Sequence, residues 1–206
     1  MKNAKTRLSN GVEIPMIGLG VYAMYEQEAI NAVGTAIELG YRLIDTASSY
    51  RNEKEIGIAV RQSGVPRNEV FITTKLGNND HGYDQTLKAY DLSLSLLAMD
   101  YADLYLVHWP IPGKRKDAWK AMEYLYEQKR VRAIGVANYY QPFLDDLASY
   151  DNIAPMVNQV EFSPFLQPAG LLDRCKKDHI LLQAYTPLIR GKKMDDPRVQ
   201  QLSVKY

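Results

Sequence analysis

The sequence has one cysteine in 206 residues, Cys175. An internal disulfide is excluded, and a reducing cytoplasmic setting is expected. Cys175 falls in a helical stretch and reads as a packed thiol. A charge excess is also missing: 25 Lys and Arg face 24 Asp and Glu. No field is left to recruit nucleic acid or an anionic membrane. No apolar run approaches the ~18 residues of a membrane span, and no signal-peptide pattern opens the chain. Histidine is scarce. His81, His108 and His179 fall on unrelated predicted elements, so no metal-ligand set is expected. No fixed-length repeat and no low-complexity segment stands out.

What is present is ordinary globular composition, 46% hydrophobic and 24% charged. A single domain over residues 1–206 is expected. The stretch Tyr101-Ala-Asp-Leu-Tyr-Leu-Val-His108-Trp109-Pro110 organises it. Leu104–Val107 reads as a buried parallel strand, and Pro110 cannot donate to a ladder, so the sheet stops there. His108 therefore sits at the carboxyl end of a core strand, where α/β sheets and barrels place their ligands.

The rest of the chain alternates strand and helix. Lys5–Leu8 and Val12–Ile14 flank Asn10-Gly11, which predicts a type I′ hairpin turn. Strands are expected at Met16–Gly20, Leu43–Asp45, Val70–Lys75, Leu104–His108, Ala133–Ala137, Met156–Val160 and Ile180–Ala184. Helices are expected at Glu26–Leu39, Asn52–Gln62, Tyr83–Leu97, Lys116–Glu127, Pro142–Tyr150 and Ala169–Asp178, with a last one starting near Pro197. Repeated βα units of about 30 residues predict a (β/α)8 barrel, one strand short of closure, behind a leading hairpin. A doubly wound sheet is the alternative. Gly18-Leu-Gly20-Val-Tyr-Ala23 formally matches a dinucleotide fingerprint, but the helical pattern begins only near Glu26, too late for that turn.

Polar residues follow nearly every strand: Gly20-Val21-Tyr22, then Asp45 with Tyr50 just beyond, Lys75, His108 with Trp109, Asn138, Gln159 with Glu161, and Tyr185 with Thr186. In a barrel these ends converge on one mouth. A tyrosine is a poor acid at neutral pH, with a pKa of about 10. A lysine ammonium within reach would lower that value, and Asp45 would compensate the buried lysine. Tyr50 then becomes a general acid for an oxygen gaining charge, and His108 a second donor to it. With no activated nucleophile and no metal set, an external hydride carrier is called for. Asn138 and Gln159 suit a carboxamide, and Tyr185 offers a stacking face.

These residues lie in longer runs: Gly-Tyr-Arg-Leu-Ile-Asp-Thr-Ala (40–47), Tyr50 with Asn52-Glu53 and Gly57, Phe-Ile-Thr-Thr-Lys (71–75), Asp-Leu-Tyr-Leu-Val-His-Trp-Pro (103–110), Ile-Gly-Val-Ala-Asn (134–138), Val-Asn-Gln-Val-Glu (157–161) and Ala-Tyr-Thr-Pro-Leu (184–188). In this order they resemble the aldo-keto reductase family, particularly its small bacterial members related to glyoxal and 2,5-diketogluconate reductases. The resemblance implies a (β/α)8 barrel with the hairpin plugging its floor, and NADPH-dependent reduction of small aldehydes and ketones. It implies a catalytic tetrad of Asp45, Tyr50, Lys75 and His108, with Tyr50 the proton donor. Cofactor contacts are implied at Gly20, Val21, Asn138, Gln159, Tyr185, Thr186 and Leu188. Tyr22, His108 and Trp109 would meet the substrate.

Ala137, Tyr139 and Thr186 depart from the family's usual Ser, Phe and Ser. The resemblance also implies an eighth strand, a basic segment gripping the cofactor's 2′-phosphate and a C-terminal substrate loop, none found before Tyr206. These 206 residues are therefore expected to bind NADPH weakly and to be a piece of a longer protein, ending inside the amphipathic pattern Val199, Leu202, Tyr206. The family implies a monomer, while open barrel edges favour association. The competing expectation is a catalytically inert truncated barrel acting as a binding or regulatory module.

Overall fold

A computed structural model describes residues 4–205; Tyr206 of the amphipathic pattern lies outside them. The chain opens with an antiparallel hairpin, β1 (Lys5–Arg7) and β2 (Glu13–Pro15). Seven strands follow: β3 (Leu19–Gly20), β4 (Leu43–Asp45), β5 (Phe71–Leu76), β6 (Ala102–Val107), β7 (Val131–Ala137), β8 (Val157–Glu161) and β9 (Leu181–Tyr185). The intervening helices are α1 (Glu26–Glu38), α2 (Glu53–Gln62), α3 (Tyr83–Leu97), α4 (Arg115–Glu127), α5 (Gln141–Ala148) and α6 (Leu171–Lys177), with α7 (Pro197–Lys205) last. Every neighbouring pair is parallel, and the order is sequential from β3 to β9. A dinucleotide-binding sheet would reverse its order at a switch point. The architecture is instead a nearly closed barrel, seven strands of a (β/α)8 fold.

The middle of the barrel follows the apolar pattern. Every residue of β6 is buried, as in β5. Strand β6 begins two residues before its expected start and takes in a charge, Asp103. That aspartate is tolerated because Arg67 and Arg132 pair with it at 2.8 and 2.6 Å and the Ile72 N–H donates to it at 2.9 Å. Outside the strands, Gly57 lets α2 approach the end of α3. A Cβ there would lie 2.1 Å from the Leu97 carbonyl oxygen.

The hairpin packs on the floor, with Leu8 and Ile14 buried among Leu43, Phe71 and Leu104. Its turn differs from the expected one. Gly11 has φ +85°, but Asn10 is not in the positive-φ region, so the turn is not type I′. The Gly11 N–H donates to the Leu8 carbonyl and the Leu8 N–H to the Val12 carbonyl, both at 2.9 Å. This is a three-residue loop closed by a bulge at Gly11. Asn10 is held there by its own contacts: its side-chain amide donates to the Arg132 carbonyl at 3.0 Å and its oxygen accepts from Val12 N–H at 3.1 Å.

The expected strand Met16–Gly20 shrinks to Leu19–Gly20. Met16 and Ile17 are exposed, because β3 is an edge and pairs on one side only. The other edge is β9. Between them runs a cavity of about 490 Å³, lined from Ile14 and Leu43 near the floor to Tyr185 and Thr186 at the rim.

Candidate active site

Asp45 is the last residue of β4, and Lys75 sits one residue before the end of β5. After Ala47 the chain makes one tight helical turn, Ser48–Tyr50, closed by Tyr50 N–H on the Ala47 carbonyl at 2.9 Å. The Ser48 hydroxyl donates to the Lys75 carbonyl at 3.0 Å and ties the turn to β5. Asn52 fixes what comes next. It is fully buried, accepts from the Thr46 hydroxyl at 2.6 Å, and donates to the Val21 and Met24 carbonyls at 2.8 and 2.9 Å. The loop bearing Tyr22 is thereby locked to the turn bearing Tyr50, and their rings meet edge-on at 5.1 Å.

Lys75 is fully buried and forms an ion pair with Asp45. Its ammonium also donates to the Thr46 carbonyl at 2.9 Å and reaches the Tyr50 hydroxyl at 3.5 Å. A buried ammonium is tolerated only when paired and hydrogen-bonded, and this one is. The second Asp45 oxygen accepts from the Gln159 amide at 2.7 Å. The His108 ring lies 5.7 Å from that of Tyr50, edge-on. Asp45, Tyr50, Lys75 and His108 thus share one mouth.

Their electrostatics correct one expectation. Lys75 does pull the Tyr50 pKa down, but burial outweighs it and Asp45 adds to the rise, so the net shift is upward from 10. Tyr50 is a protonated phenol at neutral pH. Burial, and then the Lys75 charge, push His108 down to about 4, so its imidazole is neutral.

Asn138, in the left-handed region at φ +63°, donates to the His108 carbonyl at 3.0 Å and accepts from the Tyr185 hydroxyl at 2.9 Å. Asn tolerates that conformation better than most residues. Gln159 spends both amide protons, on Asp45 and on the Gln183 side-chain oxygen at 2.9 Å. Its own oxygen has no partner among the described residues and can accept from a carboxamide. Gly20 faces open space, with nothing within 4 Å of where a Cβ would stand. Thr186 has φ +53° and lines the rim cavity beside Tyr185. Leu188, Tyr22 and Trp109 are exposed at 69%, 60% and 44%. The set fits a nicotinamide carboxamide and ring.

Val21 does not fit. Its side chain is fully buried under α1 and α2, its N–H donates to the Asp45 carbonyl, and its carbonyl accepts from Asn52 and Met24. It has no group left to offer a cofactor.

Two participants go unnamed in the sequence reading, Ser49, whose hydroxyl lies 3.2 Å from His108 Nδ1, and Gln183, while Asn52 stands there only as part of a motif with no role given. Gln183 was within reach, since it stands two residues before Tyr185 and so on the same face of β9. Among the described residues no cluster of three or more His, Cys, Asp or Glu could hold a metal. No helix among them is long and apolar enough to cross a membrane.

Comparison with known proteins gives the same answer as the geometry. The chain is 47% identical over 201 residues to glyoxal reductase of Bacillus subtilis, covering 97% of this chain and 73% of that one. An aldo/keto reductase from Brucella melitensis superposes with a TM-score of 0.95 at 40% identity, covering 98% of this chain and 79% of that chain. A Bombyx mori aldo-keto reductase solved in complex with NADP superposes at 0.90 with 33% identity, over 100% of this chain and 76% of that chain. Residues 16–200 match the family model for aldo/keto reductases. With the sequential barrel and the four rim residues already in place, this chain belongs to the aldo/keto reductase family.

Proposed function

We propose that this chain reduces small aldehydes and ketones to alcohols, taking hydride from NADPH and a proton from Tyr50. The observation that carries this reading is the Asp45–Lys75–Tyr50 chain beneath a neutral His108. Gln159 and Asn138 would hold the carboxamide of NADPH at the rim and the Tyr185 ring would stack on its nicotinamide, which would supply the hydride. A substrate oxygen lies between the Tyr50 hydroxyl and the His108 ring, in a mouth flanked by Tyr22 and Trp109. Tyr50 holds its proton until negative charge develops on that oxygen. The Lys75 ammonium then stabilises the phenolate left behind, and Asp45, its ion-pair partner, holds Lys75 in place. His108 donates a second hydrogen bond and orients the carbonyl. The glyoxal reductase relative supports small dicarbonyls as first substrates to try.

The test is NADPH oxidation with methylglyoxal, followed at the nicotinamide absorbance. Wild type turns over. Tyr50→Phe loses about 10²–10⁴-fold in kcat, the span of general acid catalysis, and keeps its NADPH affinity. A wild-type chain that binds NADPH but turns over no small aldehyde would overturn the reading in favour of an inert binding module.

A further inference from the structure

We infer that Arg190 sets substrate preference, favouring aldehydes that carry a carboxylate a few carbons away from the carbonyl. This role rests on the reading under Proposed function, in which the carbonyl oxygen lies between Tyr50 and His108 and the rest of the substrate runs out past Tyr22 or Trp109. The Arg190 guanidinium lies over the Tyr22 ring, 5.9 Å from its centre, and the Tyr50 ring meets that same Tyr22 ring at 5.1 Å. One aromatic ring thus separates the proton donor from a cation. A substrate tail that passes Tyr22 runs towards that cation.

The cation is free to bind. Over a ring, a guanidinium offers its charge to the π face, while its N–H donors still need oxygens. Arg190 is exposed, and its side chain has no carboxylate or other hydrogen-bond acceptor among the described residues. Lys75, by contrast, is spent on Asp45. The backbone holds Arg190 where it is. Ile189, Arg190 and Gly191 have φ +53°, +53° and +75°, a region that side-chain-bearing residues rarely adopt. Closed turns keep them there: the Ile189 N–H donates to the Thr186 carbonyl at 3.0 Å and the Gly191 N–H to the Leu188 carbonyl at 2.9 Å. Further on, Lys193 and Arg198 stand over the Phe165 ring at 5.3 and 4.8 Å and anchor the far end of the segment. A carboxylate matches the planar edge of a guanidinium with two parallel hydrogen bonds, which an ammonium cannot make. The spacer decides the reach. A carboxylate bonded to the carbonyl carbon stays beside Tyr50 and His108, whereas one set off by two methylenes extends past Tyr22.

The experiment compares NADPH oxidation with 4-oxobutanoate, with its neutral counterpart butanal, and with glyoxylate, whose carboxylate is bonded to the carbonyl carbon. Wild type prefers 4-oxobutanoate to butanal in kcat/KM. Arg190→Gln lowers that preference about 5- to 20-fold, mainly through KM, a loss between that of an exposed ion pair and that of a hydrogen bond to a charged group. The preference for glyoxylate over butanal does not move, and NADPH affinity, read by fluorescence titration, stays at the wild-type value. Arg190→Lys, which keeps the charge without the planar edge, retains part of the preference. An equal loss on all three aldehydes would make Arg190 a packing residue, and a weakened NADPH affinity with the preference intact would make it a cofactor residue; either overturns the inference. Wild-type turnover of butanal and 4-oxobutanoate without preference overturns it and leaves the reductase reading standing. No turnover of any aldehyde overturns both.

Discussion

Two buried aspartates stand at opposite ends of the barrel and are treated differently. Asp103, at the floor, is paired by two arginines and a backbone N–H. Those arginine side chains are 23% and 44% exposed, and Arg67 also donates to the Val70 and Tyr101 carbonyls at 2.6 and 2.9 Å. Asp45, at the mouth, is paired by one fully buried lysine that also donates to the Thr46 carbonyl and reaches a tyrosine hydroxyl. The floor is finished: the hairpin caps it, and Asn10 pins the hairpin to Arg132. The mouth is left open, with free groups on Gln159 and His108 and exposed aromatics on Tyr22 and Trp109. Charge buried at the floor holds the fold together; on the proposed reading, charge buried at the mouth holds a proton donor in readiness.

The sharpest way to break this contrast is to remove the cation at each end. Lys75→Met should cost on the order of 10²–10⁴ in kcat, because Tyr50 loses the charge that stabilises its phenolate. Arg132→Ala should lower the melting temperature while turnover per folded molecule stays near wild type, since Arg67 still pairs Asp103. Acid should strike the mouth first. His81 and His108 both follow strand ends there, and burial lowers each from 6.5 to about 4. Below pH 6.5 the unfolded chain binds protons that the folded chain refuses, so stability falls as pH drops from 6.5 towards 4. A melting series over that range should show the decline, and His81→Gln should make it shallower. The smallest effect is expected at Gln183→Leu. Gln159 loses one acceptor, and NADPH binding should weaken a few-fold, about the worth of one hydrogen bond. Fluorescence titration of NADPH measures it.

Much of this was legible before any coordinates. The apolar run ending at His108 and Pro110 marked the central strand, and the strand-end rule placed Asp45, Lys75, His108, Asn138 and Gln159 on one rim. What stayed hidden depended on partners distant in sequence. The expected strand starts at Leu104 and leaves Asp103 outside, because the sequence does not show Arg67 and Arg132 beside it. Asn10-Gly11 reads as a type I′ turn until Asn10 spends its side chain on Arg132 and Val12. Val21 reads as a rim residue because it follows Gly20, yet its side chain turns under α1 and α2. The direction of the Tyr50 shift was misjudged because a sequence shows the neighbouring charge but not the depth of burial, and burial is the larger effect here.

The most direct test places the two aspartates side by side. Asp45→Asn and Asp103→Asn are each measured for melting temperature and for carbonyl turnover per folded molecule. Both variants should melt earlier, since each leaves a cation without its anion. Turnover should collapse in Asp45→Asn and persist in Asp103→Asn. Equal turnover in the two variants would contradict the division of labour between mouth and floor.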